Sequence, residues 1–278
     1  MANVVSDTRS QRDPVRAQSL KGKVAVVTGS TSGIGLGIAN ALAEQGCSVM
    51  LNGLGDKDSI ETSRSGMAQA HGVDVRFHDA DMTKPEAIRD LIEATYKNFG
   101  AVDILVNNAG IQHTSPVESF ADDKWDAIIA INLSAAFHAI KAALPHMKRQ
   151  GWGRIINIAS VHGLVASVDK VAYVTAKHGL VGMTKVVALE CAESNITCNA
   201  ICPGWVRTPL VEAQIAALAE RKGISIDQAT VDLLSEKQPT KRFTEVEQLA
   251  GVAVFLCSES ASNITGSAQV VDGGWTAR

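Results

Sequence analysis

An α/β domain with one doubly wound parallel sheet of about seven strands is the predicted fold class, and three observations predict it. From Lys23 onward, short apolar runs rich in Val and Ile alternate with longer stretches of helical spacing. Polar or glycine-rich turns separate the two kinds of segment. The runs are continuous rather than alternating apolar with polar, as strands covered on both faces require. With 278 residues, 46 % of them hydrophobic and 20 % charged, the chain is large enough for one sizeable core and too weakly charged for general disorder.

Taken in order, the apolar runs place strands at 24–28, 48–52, 73–78, 104–107, 154–159, 197–202 and 268–271. Helical spacing covers 34–45, 57–70, 85–98, 122–149, 172–192 and 244–258. Gly46 after Gln45 reads as a helix stop. Thr244 with Glu247 has the spacing of a capping box, in which each side chain answers a free N–H of the first turn. One stretch breaks the alternation: 203–241 holds no strand and two short helical patterns, at 211–221 and 226–236. A long insertion after the carboxyl end of a strand predicts a helical substrate lid. Residues 1–19 read as a flexible polar arm, and 20–278 as a single undivided domain.

Composition excludes some function classes. The formal net charge of −3 gives no field to draw in nucleic acid or an anionic membrane. No run of eighteen apolar residues stands in the sequence. The arm lacks the apolar centre of a secretory signal, and the five cysteines are few, odd in number and set in apolar runs, so a reducing, cytoplasmic setting is expected. No paired CxxC or HExxH occurs, and no metal is expected.

The first strand runs into Thr28-Gly-Ser-Thr-Ser-Gly-Ile-Gly35 and then into a helix. Gly29, Gly33 and Gly35 carry no side chains to keep a pyrophosphate from the backbone, and the helix start offers free N–H groups and a positive dipole end. A dinucleotide site is implied. The second strand ends in Asn52-Gly53-Leu54, without the acid that bonds a ribose 2′-hydroxyl. Equally, no cation stands at Ser32, Gly53 or Leu54 to meet a 2′-phosphate, so NAD is expected rather than NADP.

This glycine turn, Asn107-Asn-Ala-Gly110, Asn132, Ser160 and the pair Tyr173 and Lys177, in that order, resemble the short-chain dehydrogenase/reductase superfamily over about residues 20–275. The resemblance implies a Rossmann-type single domain, nicotinamide-dependent and metal-free, commonly a homotetramer. Catalytic roles are implied for Asn132, Ser160, Tyr173 and Lys177. Cofactor contacts are implied for Gly29, Thr31, Gly33, Ile34, Gly35, Leu54, Asp81, Met82, Asn108 and Gly110. The same holds for Tyr173, Lys177, Pro203, Val206 and Thr208.

Tyr173 and Lys177 lie four apart and share a helix face. A phenol of pKa ~10 exchanges protons poorly at neutral pH, and lowering it by ~3 units takes about 4 kcal/mol, near the attraction of one charge at ~4 Å in a dielectric of ~20. Lys177 is expected to supply most of it. Ser160, ending the fifth strand, is placed to bond a substrate oxygen as charge develops. The resemblance adds that Asn132 completes a proton relay through Lys177.

Around this pair the sequence offers Gln112, His162, Lys170 and Gln214 as a cation with neutral donors, and Trp205 and Trp275 as walls. Their joint occurrence is similar to one subfamily, the bacterial-type D-3-hydroxybutyrate dehydrogenases. That similarity implies that the four polar residues hold a small carboxylate and that the tryptophans close the site. Two rivals share parts of the pattern. One is an NADPH-dependent 3-oxoacyl reductase acting on thioesters. The other is a dinucleotide-sensing protein without turnover, which has no use for a proton donor.

Overall fold

The computed structural model describes residues 19–277. The expected arm, Ser19 apart, lies outside them. Seven parallel strands form the sheet: β1 (Val24–Val27), β2 (Ser48–Asn52), β3 (Val75–His78), β4 (Ile104–Asn107), β5 (Gly153–Ile158), β6 (Ile196–Pro203) and β7 (Ala268–Val271). Their order is β3-β2-β1-β4-β5-β6-β7, so the winding direction reverses between β1 and β4 and leaves a crevice at their carboxyl ends. Nine α-helices are described: α1 (Gly33–Glu44), α2 (Lys57–His71), α3 (Pro85–Phe99), α4 (Asp122–Ile129), α5 (Ala135–Gln150), α6 (Val171–Glu190), α7 (Pro209–Lys222), α8 (Ile226–Lys237) and α9 (Val246–Cys257).

Period-two alternation within each strand feeds two cores. Ala25 and Val27 of β1 join Ile38 and Leu42 of α1 and Leu249 and Leu256 of α9 on one face, while Val26 joins Leu91 and Ile92 of α3 and Ala139 and Met147 of α5 on the other. Each such Val, Leu or Ile, removed from water, contributes roughly 1.5–3 kcal/mol before chain entropy is counted. These two cores hold the strand ends, and hence the crevice, in fixed register.

Two local expectations are corrected. The predicted helix over 122–149 is divided by a π-helical turn, Ala130–Ser134, between α4 and α5. Asn132 causes the break: its carboxamide makes two tertiary hydrogen bonds, accepting from Ile111 N–H and donating to Ile111 C=O, each at 2.9 Å. By length and composition the whole run Asp122–Gln150 would suffice to cross a membrane, although it holds no unbroken apolar run. Here Ala139, Ala143 and Met147 pack it onto the sheet.

The capping box lies one residue later than predicted. Glu245 is the cap, and its N–H donates to Gln248 Oε1 at 2.9 Å. Thr244 is engaged elsewhere, its hydroxyl donating to Val271 C=O at 3.1 Å and its backbone bridging Val206. The segment expected to be a lid carries α7 and α8, joined by Val211, Ile215, Ala219 and Ala229, with Trp205, Leu218 and Phe243 packed against them.

Candidate active site

The turn from β1 to α1 is built for close backbone approach. Gly29 has φ +61° and a Cβ there would stand 2.8 Å from Ala109 Cα. Ser32, the N-cap of α1, makes no side-chain cap bond, and no acid occupies the first helical turn. Free N–H groups and the dipole end are therefore left for an anion. Asn108 braces the turn, donating from Nδ2 to Thr28 C=O at 3.0 Å and Gly29 C=O at 2.9 Å.

Gly35 has a different task from the one expected. It does not border the crevice, and a Cβ there would lie 2.3 Å from Gly29 O and 2.4 Å from Asn108 Nδ2. The third glycine lets helix, turn and brace pack together.

A cavity of about 500 Å³ runs along the carboxyl edge of the sheet. One end is bordered by Leu54, Asp81 and Met82, and the middle by Gly29, Thr31, Gly33, Ile34, Asn108 and Gly110. Pro203, Val206 and Thr208 border it from the end of β6 and the stretch leading into α7. At the far end stand Ser160, Tyr173 and Lys177 together with Gln112, His162, Lys170, Trp205, Gln214 and Trp275. Apart from Gly35, Asn132 is the only predicted site residue set back from this cavity.

At the Leu54 end, Asn52 is fully occupied by backbone: Oδ1 accepts from Gly29 N–H at 3.3 Å, and Nδ2 donates to His78 and Ala80 carbonyls. Asp81 Oδ1 accepts from the Thr83 N–H and hydroxyl, each at 2.8 Å, which hold the carboxyl below the usual range. Among the described residues lining the cavity, the cations are Lys170 and Lys177, both at the opposite end. These walls suit a dinucleotide.

Tyr173 and Lys177 project from one face of α6 into that far end. Lys177 Nζ donates to Ile158 C=O at 2.7 Å and lies 5.5 Å from the Tyr173 ring centre. The expected acidification of the phenol is not found. Burial pushes Tyr173 up, opposed by a hydrogen bond with Ser160, and desolvation brings the Lys177 ammonium down to about 8. The reason is the dry surroundings: Lys177, 3 % exposed and bonded to a carbonyl, has lost solvation, which disfavours its charged form relative to a lysine in water and lets burial outweigh its pull on the phenol. Tyr173 in this state is a protonated phenol, an acid rather than a base. Asn132 spends its carboxamide on Ile111, so its side chain is not directed at Lys177.

The neighbouring wall is rich in donors. Gln112 Nε2 and Trp205 Nε1 are both buried without a hydrogen-bond partner. Lys170 Nζ lies 5.2 Å above the Trp205 ring, brought down to about 8 by burial and then by Lys237. His162 is held neutral, its pKa near 3 through burial and then the charge of Lys170. Its Nε2 pairs with Ser167 Oγ at 3.0 Å. The ring meets Tyr173 and Trp275 edge-on at 5.9 and 5.4 Å, and Trp275 lies 5.5 Å from Trp205. Two unpaired buried donors in the same cavity as a cation suit an anion rather than another donor.

Comparison with known proteins gives the family. The family model described as "Enoyl-(Acyl carrier protein) reductase" matches residues 29–276. The D-beta-hydroxybutyrate dehydrogenase of Cupriavidus necator is 55 % identical over 260 residues, 93 % of this chain and 100 % of that one. The chain belongs to the short-chain dehydrogenase/reductase family. This family member is 53 % identical to the D-beta-hydroxybutyrate dehydrogenase of Rhizobium meliloti over 256 residues, 92 % of this chain and 99 % of its relative. Among solved structures, L-sorbose reductase from Gluconobacter frateurii, complexed with NADPH and L-sorbose, superposes with a TM-score of 0.89 at 34 % identity, covering 94 % of this chain and 99 % of that one.

As a short-chain dehydrogenase/reductase the protein is an oxidoreductase with a dinucleotide site. Several residues at its site escaped the sequence reading. Ile111 anchors Asn132, Ser167 orients His162, and Asp272 accepts from the Gly274 and Thr276 N–H groups to shape the turn carrying Trp275. Only Asp272 had a signal, since an Asp before two glycines favours such a side-chain-closed turn.

Proposed function

We propose that this short-chain dehydrogenase/reductase interconverts D-3-hydroxybutyrate and acetoacetate with NAD. The observation that carries the reading is a cation with unpaired donors: Lys170 with the unpaired Gln112 Nε2 and Trp205 Nε1, in the same cavity as Ser160 and Tyr173. A free carboxylate accepts from all three, and the names of the relatives above point to the same acid. The carbonyl or hydroxyl at C3 then lies toward Ser160 and Tyr173.

A bound nicotinamide supplies the site for hydride exchange. In reduction, Tyr173 donates its proton to the carbonyl oxygen while the Ser160 hydroxyl bonds that oxygen as its charge grows. In oxidation, Tyr173 must first lose its proton, and Lys177 holds the resulting phenolate. Burial by the two tryptophans keeps competing water from both steps. NAD is favoured because, among the described residues lining the cavity, the two lysines stand away from the Leu54 end. A cytoplasmic location is read from the free, buried cysteines. A homotetramer is read from the family pattern and from exposed Phe137, Val186 and Leu189 on α5 and α6.

A 3-oxoacyl reductase would share Ser160, Tyr173 and Lys177, yet its thioester substrate brings no charge for Lys170. Lys170→Ala separates the two readings. Absorbance at the reduced-nicotinamide band is expected to show KM for 3-hydroxybutyrate raised by about 10-fold or more, with kcat much less changed, as loss of a charge-assisted bond of ~1.5–3 kcal/mol predicts. An unchanged KM, or better turnover of a 3-oxoacyl thioester by the wild type, removes the carboxylate assignment.

A further inference from the structure

Gln238, just past the end of α8, is 1 % exposed, and its carboxamide ties together the base of the lid. Oε1 accepts from the Trp205 N–H at 3.0 Å, and Nε2 donates to the Arg242 carbonyl. The amide also fills the space over two glycines. A Cβ on Gly204 would lie 2.7 Å from Oε1, and one on Gly273 would lie 2.7 Å from Cγ and 2.9 Å from Nε2. The same knot is closed by Thr240 N–H donating to Gly273 C=O at 3.1 Å and Thr244 N–H donating to Trp205 C=O at 2.8 Å. Both tryptophans leave from it: Trp205 directly, and Trp275 two residues beyond Gly273.

We infer that Gln238 is a positioning residue for the anion subsite, fixing the Trp205 main chain so that its indole ring stays under Lys170 and its N–H stays in the subsite, with Gly204 and Gly273 leaving room for the amide. Gln238 does not border the cavity, so it acts on the substrate through Trp205. Its side chain joins the first residues of the lid, the last ones and the turn ahead of Trp275. A shift of this amide therefore moves the carboxylate subsite while leaving the glycine turn and the Tyr173 pair in place. The inference rests on the carboxylate reading above.

Gln238→Met keeps length and bulk and removes both hydrogen bonds. The expected result is KM for 3-hydroxybutyrate raised about 10-fold with kcat within about 3-fold, the pattern of lost ground-state binding. NADH affinity, followed by fluorescence, is expected to stay unchanged. With methyl 3-hydroxybutyrate, which has no carboxylate charge, kcat/KM is expected to stay at the wild-type value. In a Trp205→Phe background the substitution is expected to add little, because two changes on one path are not additive.

An unchanged KM for the acid overturns the inference, and so does an equal loss on acid and ester, since that is the mark of general structural damage. If Gln238→Met does not fold, Gln238→Leu, which is slightly smaller and also removes both hydrogen bonds, takes its place, and the same split between acid and ester is required. The two readings fail separately. If Lys170→Ala raises KM and Gln238→Met does not, the positioning role alone is wrong. If Lys170→Ala leaves KM unchanged, the carboxylate subsite itself is wrong.

Discussion

Tyr173 and Lys170 sit in the same cavity and respond to its dryness in opposite ways. Desolvation pushes the phenol up and the ammonium down, and each shift disfavours the charged form. For Tyr173 the consequence is a proton held until the substrate oxygen draws it. Tyr173→Phe is expected to bind NADH as tightly as the wild type in a fluorescence titration and to lose about 10²–10⁴ of kcat, the usual worth of a positioned acid–base group. For Lys170, with a pKa lowered to about 8, the charged form predominates below that pH and is lost above it. Affinity for the carboxylate should therefore fall as pH rises through 8, with KM climbing toward about 10-fold per unit while kcat follows a different profile. Lys170→Arg, which stays charged, should flatten that alkaline rise; a wild-type KM independent of pH between 7 and 9.5 would contradict the assignment. His162, neutral above about 3, contributes no break in the acid limb over ordinary working pH.

Helix starts and breaks show which signals a sequence exposes. The glycine turn was legible because its meaning is local: strand, glycines and helix follow one another along the chain. Even so, the three glycines divide their tasks in a way spacing does not reveal. At Gly35 an added methyl meets Gly29 O at 2.3 Å, so Gly35→Ala is expected to cost stability, about 1–3 kcal/mol by overpacking, seen as a lower urea midpoint with an unchanged slope. At Gly33 the nearest atom is the Thr208 methyl at 3.6 Å, and φ is +54°. Gly33→Ala thus has room, bears about 1 kcal/mol of left-handed strain, and should weaken NADH binding more than it lowers the midpoint. Equal midpoint losses for the two variants would show that the glycines do not differ in role. The π turn at Asn132 and the displaced cap at Glu245 were illegible for the opposite reason. Each is decided by a distant partner, Ile111 in one case and Val271 in the other, and periodicity along one helix carries no trace of either. Gln238 is the extreme instance, a polar residue whose burial is intelligible only once Trp205, Arg242 and Gly273 converge on it.

Over the whole molecule, the reversal of strand order between β1 and β4 gathers one binding surface from residues as far apart in sequence as Gly29 and Thr208. No unfolded chain presents that surface, so a dinucleotide bound to it stabilises only the folded state. At about 100 times its Kd, NADH should contribute ~2.7 kcal/mol, and a domain of this size converts that into a rise in Tm of roughly 5 °C. NADPH at the same concentration should raise it by less. Its extra dianion would lie against Leu54, Gly53 and the fully engaged Asn52, and among the described lining residues the two cations stand at the other end of the cavity. The comparison is decided by scanning calorimetry with each reduced nucleotide. An equal or larger rise with NADPH would mean that the Leu54 end accepts the phosphate after all, and it would strip the NAD assignment from the proposed reaction without touching the roles of Tyr173 and Lys170.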